Sequence, residues 1–144
     1  MIPFMSAVIY SQARNAFADI FDAAVAHAPT RIARRRSGEA VLIGHDDLLA
    51  LTESFAFHPA VYFEPQGVSI WLPELELWGR GADFDAARED LVDEVRQYME
   101  EYLADERLRT APNHRPHAPW LVRAMLLDDA QLAETLFAEP DEPR

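Results

Sequence analysis

The chain has 144 residues, 49% of them hydrophobic, which suits one ordinary domain or two small ones with a real core and excludes global disorder. With no cysteine there is neither a disulfide framework nor a thiolate metal site, and no apolar run approaches membrane-spanning length. The net charge is −12, from 25 acids against 13 arginines and no lysine. Up to Thr52 the chain is near neutral and carries a tight basic run at Arg31, Arg34, Arg35 and Arg36; from Glu53 onward acids dominate. Such a distribution confines any nucleic-acid contact to a local face, while the acidic remainder repels DNA and suits a basic protein partner. No charged leader with an apolar core and cleavage site stands at the front, so a cytoplasmic location is expected.

Three blocks follow along the chain. The first runs from about Met5 to Phe57. Ala7 to Tyr10 is short, apolar and β-prone, and Ser11 is the expected cap of a helix in which Ala16, Phe17, Ile20, Phe21, Ala24 and Val25 recur at helical spacing. His27-Ala28-Pro29 stops that helix. Thr30–Arg36 and Ala40–Ile43 read as strands joined by a turn at Ser37-Gly38-Glu39, and Asp46 or Asp47 opens a leucine-bearing helix. The predicted order is β-α-β-β-α.

His58-Pro59 marks the break to a second block. Val61–Phe63 and Val68–Leu72 flank a Pro65-Gln66-Gly67 turn, and a third extended stretch near Leu75–Trp78 precedes a Gly79–Gly81 loop. Asp83 or Asp85 caps a long helix whose Ala87, Leu91, Val95, Tyr98 and Tyr102 share one face. Trp71, Trp78, Tyr98 and Tyr102 are expected in the core. Pro112, Pro116 and Pro119 stiffen residues 110–119 into a linker, after which Trp120–Phe137 forms one amphipathic helix or two short ones broken near Asp128-Asp129. Glu139–Arg144 reads as a frayed tail.

Two stretches of the first block, Tyr10-Ser11-Gln12-Ala13-Arg14-Asn15 and Pro29 through Ile43, resemble the Phd/YefM antitoxin family over roughly the first 55 residues. Arg36 and Ser37 lengthen the turn by about a residue relative to that pattern. The resemblance implies a unit that dimerises and binds operator DNA as a repressor. It places Ser11, Arg14 and Asn15 at a helix start facing phosphate, with Arg31, Arg34, Arg35 and Arg36 supplying neighbouring contacts. The second block is similar to the HicB antitoxin core, a partial ribonuclease-H-like β-β-β-α unit. Glu64-Pro65-Gln66-Gly67, Trp71 to Leu75 and Gly81 to Ala87 carry the likeness. That family's own DNA-binding module is not evident here, and a Phd-like front end would substitute for it.

The expected architecture is therefore α+β. Residues 1–57 form the dimerisation and DNA-binding region, 58–108 the HicB-like region, and 109–144 the Pro-rich linker and C-terminal helix. That helix either sits on a tether, offering Trp120, Leu121, Met125, Leu132, Leu136 and Phe137 to a toxin, or docks onto the second block. Glu74, Glu76, Asp83 and Asp85 are explained more cheaply as turn and helix-cap charges than as a metal site. His114-x-x-His117 lies among prolines with no third ligand nearby. No nucleophile triad or phosphate loop is present, so neither catalysis, metal nor cofactor is expected. The functional expectation is an antitoxin of a type II toxin–antitoxin system that neutralises a ribonuclease-type toxin by direct binding and autorepresses its operon. The competing expectation is an acidic, dimeric protein-interaction adaptor that never touches DNA.

Overall fold

Alternating apolar residues in the two halves of the chain build two separate three-stranded sheets, each with its own helices. The computed structural model describes residues 7–138, and the chain divides into two compact units, Met1–Leu51 and Thr52–Arg144. Met5 and the tail Glu139–Arg144 lie outside the described residues.

Unit 1 contains β1 (Val8–Ile9), α1 (Tyr10–Asn15), α2 (Phe17–Val25), β2 (Thr30–Arg34), β3 (Gly38–Leu42) and α3 (His45–Leu51). The sheet order is β1-β2-β3. β1 is parallel to β2, with Ile9 opposite Ala33, and β3 is antiparallel to β2, with Arg34 opposite Gly38. Three local details differ from the sequence expectation. Ser11 is not a cap: the helix starts two residues earlier than a Ser11 cap would place it, because β1 runs straight into it and extended Ile9 is the residue before the first turn, with no side-chain cap bond. The first helix is bent at Ala16 (φ −110°), although Ala16 N–H to Gln12 O and Ile20 N–H to Ala16 O carry the hydrogen bonding across the bend. The hairpin closes earlier, over Arg35-Arg36-Ser37, with Ser37 N–H donating to Arg34 O at 3.0 Å. Gly38 supplies the reason: its φ of 110° lets the chain leave the turn already paired to Arg34.

Unit 2 contains β4 (Ala60–Glu64), β5 (Gly67–Leu72), β6 (Leu77–Gly81), α4 (Phe84–Ala104), α5 (Glu106–Thr110), a 3-10 turn (Arg115–His117), α6 (Ala118–Met125) and α7 (Asp129–Leu136). The antiparallel sheet runs β4-β5-β6. Gly79–Gly81, expected as a loop, is the body of β6. A Cβ on Gly79 would lie 2.5 Å from Ala87 O and 2.6 Å from Leu91 Cβ, so the glycines let α4 rest directly on the strand. Asp83 caps α4, its carboxylate accepting from Ala86 N–H at 2.8 Å. From α4, Ala87, Leu91, Val92, Val95, Tyr98 and Met99 are buried against Val68, Ile70 and Leu72 of β5.

The remaining core comes from the end of the chain. Leu121, Ala124, Leu132 and Leu136 are fully buried in the same cluster. Of the two arrangements weighed for the C-terminal segment, docking on the second block is the one observed. It forms two helices, with Asp128 and Gln131 making a reciprocal capping box where α7 begins. The Pro-rich stretch is folded as well. Pro116 and Pro119 sit in the first turns of the 3-10 turn and of α6, where a missing N–H costs nothing, and His117 is buried. Arg96 of α4 holds the α6–α7 corner. Its guanidinium donates to Ala124 O at 2.9 Å and Leu127 O at 2.6 Å, and pairs with Asp129 at 2.7 Å. Residues 52–57, expected in the first region, fold with unit 2 because α6 holds them. Trp120 Nε1–H donates to Ala56 O at 2.9 Å, Arg123 donates to Phe55 O at 2.8 Å, and the Phe55 and Trp120 rings meet edge to face.

Candidate functional site

The arginines of unit 1 form a surface feature whose centre is fixed by the sheet. Because β1 is parallel to β2 and leads directly into α1, Tyr10 stands beside the end of β2, and the Arg34 guanidinium lies over its ring at 4.6 Å. Arg14 follows Tyr10 by four residues, one helical turn, and shares its side of α1. Ser11, Arg14, Asn15, Arg34, Arg35 and Arg36 are all exposed. Arg31 differs. It projects from the opposite face of β2 to Arg34 and pairs with Glu39 at 3.2 Å. Tyr10, Arg14 and Arg34 therefore form one group, Arg35 and Arg36 occupy the hairpin tip next to it, and Arg31 stands apart with a carboxylate of its own.

Unit 1 also exposes apolar surface. Phe17, Phe21 and Val25 recur one turn apart on α2 and are each more than half exposed, as are Val41 on β3 and Leu51 on α3. The Phe17 and Phe21 ring centres are 6.2 Å apart. Buried apolar side chains in this unit are limited, among the described residues, to Ala13, Ile20 and Ala24. The described part of this unit therefore combines a small core with much exposed apolar surface.

In unit 2 the side chains expected to meet a toxin are divided. Leu121, Leu132 and Leu136 are spent on the chain's own core, whereas Trp120, Met125 and Phe137 are only partly buried at its margin. The four carboxylates considered as metal ligands have separate tasks. Glu74 meets His58 Nδ1 at 2.6 Å, Glu76 meets His117 Nε2 at 3.3 Å, Asp83 caps α4, and Asp85 lies 3.6 Å from Arg88. Both His114 and His117 turn Nδ1 toward the Tyr98 hydroxyl, at 2.8 and 2.7 Å.

The sequence expectation placed Trp71 and Trp78 in the core. The structure puts them on the opposite face of the sheet from α4, paired across β5 and β6 with ring centres 5.0 Å apart. Strict alternation in β5 was the available signal: Val68, Ile70 and Leu72 are the buried set, so Ser69 and Trp71 must point the other way. Tyr98 is buried as expected and Tyr102 partly so.

Fold and surfaces together define a two-unit α+β protein, with an arginine-edged first unit and an acidic second one. A family of antitoxins, described as "Antitoxin of toxin-antitoxin, RelE / RelB, TA system", matches residues 5–138, and the chain belongs to that family. No curated protein matches it. The chain is similar in fold to a crystal structure from Syntrophomonas wolfei subsp. wolfei, described as an antitoxin part of a proposed toxin/antitoxin system. The TM-score is 0.80 over 94% of this chain and 99% of that one, at 19% identity. No helix of the described residues is long and apolar enough to cross a membrane.

Proposed function

We propose that this antitoxin acts without catalysis, neutralising a ribonuclease-type toxin by direct binding through unit 2 and repressing its own operon through operator DNA bound by a dimer of unit 1. The strand order of unit 1, with its first helical stretch broken into α1 and α2, supports a Phd/YefM-like front end, and the β4-β5-β6-α4 run that opens unit 2 supports a HicB-like core. The observation that carries the DNA reading is the Arg34–Tyr10 stack beside Arg14. The stack holds one guanidinium in place at low entropic cost and leaves its edge free for phosphate or a guanine. Unit 1 carries five arginines against five acids, and unit 2 eight arginines against twenty acids. DNA attraction is therefore confined to unit 1, and a basic partner suits unit 2.

The test is a titration of the full chain against the duplex upstream of its own reading frame, across a range of salt concentrations. Binding is expected to weaken with salt, and Arg14→Ala or Arg34→Ala to lower the salt slope by about 1 each where a phosphate contact is lost. Arg31→Ala is expected to do less, because Glu39 already engages Arg31. No binding even at low salt would leave the acidic adaptor as the better account.

A further inference from the structure

The face of the β4–β6 sheet that α4 does not cover carries an aromatic cluster. Its rows are fixed by register: Tyr62, Ser69 and Arg80 lie opposite one another, and Trp71 lies opposite Trp78 in the adjacent row. The Trp71 and Trp78 ring centres are 5.0 Å apart, those of Tyr62 and Trp78 5.9 Å, and the Arg80 guanidinium lies over Trp78 at 5.2 Å. Tyr62 is 48% and Trp78 38% exposed. Glu64 completes the same face of β4 and is exposed. The helices of unit 2 do not account for these rings. α4 packs on the other side of β5 and β6, and α6 and α7 pack against α4.

Tryptophan, tyrosine and arginine are the residue types that dominate binding energy when they cluster at the centre of a protein interface. Charge decides the kind of occupant. Unit 2 has twenty acids and eight arginines, so a nucleic acid or a second copy of unit 2 would bring like charge against it. Three of those arginines, Arg96, Arg109 and Arg123, donate to backbone carbonyls within the unit. A basic protein meets the opposite condition. Its guanidinium and ammonium groups stack on exposed aromatic faces, as Arg80 does on Trp78, and pair with Glu64.

We infer that this sheet face, centred on Tyr62, Trp71 and Trp78, is the docking surface for the basic toxin. The inference rests on the proposed antitoxin reading and moves the contact from the C-terminal helices to the sheet. The probe is the purified product of the reading frame adjoining this chain's own, titrated calorimetrically against the full chain and its variants. Trp78→Ala and Tyr62→Ala are expected to weaken binding by about 30-fold or more at a true hot spot. Glu64→Lys is expected to weaken it several-fold at low salt, with a smaller loss at high salt. Leu103→Ala, exposed on α4, is expected to leave affinity unchanged. Folded Trp78→Ala and Tyr62→Ala proteins that bind like wild type would overturn the inference while leaving the antitoxin reading intact. Should Trp78→Ala unfold, an unchanged affinity in Glu64→Lys would overturn it instead. Trp78-dependent self-association or single-stranded RNA binding would overturn the choice of occupant. A wild-type chain that ignores the adjoining product would overturn the toxin reading itself, and this inference with it.

Discussion

The Tyr98 hydroxyl has one proton to share between two imidazoles, His114 Nδ1 at 2.8 Å and His117 Nδ1 at 2.7 Å. It donates to one ring and accepts Nδ1–H from the other, so the neutral rings hold opposite tautomers. Protonating both would direct two donors and two positive charges at the same hydroxyl. Burial pushes the His117 pKa below its ordinary 6.5 and nearby His114 adds to that, while the Glu76 carboxylate opposes both. Burial, with Tyr102 and Glu76, pushes the Tyr98 phenol up to about 12. The sign for His117 follows from proton uptake. Between 6.5 and its lower folded value the unfolded chain binds the extra proton, so stability falls as pH drops through that window and levels off beneath it. Urea midpoints measured through the same window are expected to fall for the wild type and to stay flatter for His117→Gln; equal slopes would remove His117 from the account. Gly79 makes a second prediction at this scale. A methyl group there has no room against Ala87 O, Leu91 N and Leu91 Cβ, so Gly79→Ala is expected to cost about 1–3 kcal/mol, or more if α4 must move. Chemical denaturation measures it.

Elements depend on how their ends are satisfied. Arg96 is the example that sequence pattern does not disclose, since on the α4 wheel it is one more polar residue among Asp93, Glu94 and Gln97. In the fold its guanidinium takes up two carbonyls at the end of α6 and the Asp129 carboxylate at the start of α7. Arg96→Ala leaves those carbonyls without their charged donor and is expected to destabilise the protein by about 1–3 kcal/mol. The loss should appear as faster hydrogen exchange at α6 and α7 than at β5; uniform change would mean the corner is not held by this residue. Asp83, by contrast, was legible as one of two candidate caps, with Asp85, because an acid directly before an apolar-periodic run has few other structural uses; at Asp128-Asp129 the sequence offered a break, and the structure makes Asp128 the cap of α7. The hairpin shows the opposite failure. Its arginine-rich strand continues the β pattern past Arg34, and the positive φ values of Arg36 and Gly38 end it there.

For the whole molecule, the contrast between the units matters most. Unit 2 has a continuous core from Phe57 to Leu136. Unit 1 buries few apolar side chains among its described residues and exposes Phe17, Phe21, Val25 and Val41. That balance is the basis for proposing a dimer through unit 1, because burying those side chains against a second copy gains about 1.5–3 kcal/mol for each one fully covered. A thermal transition of unit 1 that shifts with protein concentration is the expected signature. Phe21→Glu is expected to yield a monomer in sedimentation and to abolish operator binding without altering the urea midpoint of unit 2. A wild-type chain that sediments as a monomer at all concentrations would end the dimer proposal.

The sequence by itself determined the α+β class, the order of the strands and of the main helices, the partition of charge, and an acid cap at the start of α4. Each of these follows from residues that are near neighbours along the chain, so period, charge runs and turn chemistry suffice. Only the tertiary structure decided that Leu121, Leu132 and Leu136 belong to the core, and that Arg31 meets a carboxylate across the sheet while Arg34 stacks on Tyr10. Those outcomes turn on which surface meets which across long stretches of chain. An amphipathic helix has the same pattern whether its apolar side covers its own protein or another, and an arginine looks the same in sequence with or without a carboxylate across the sheet.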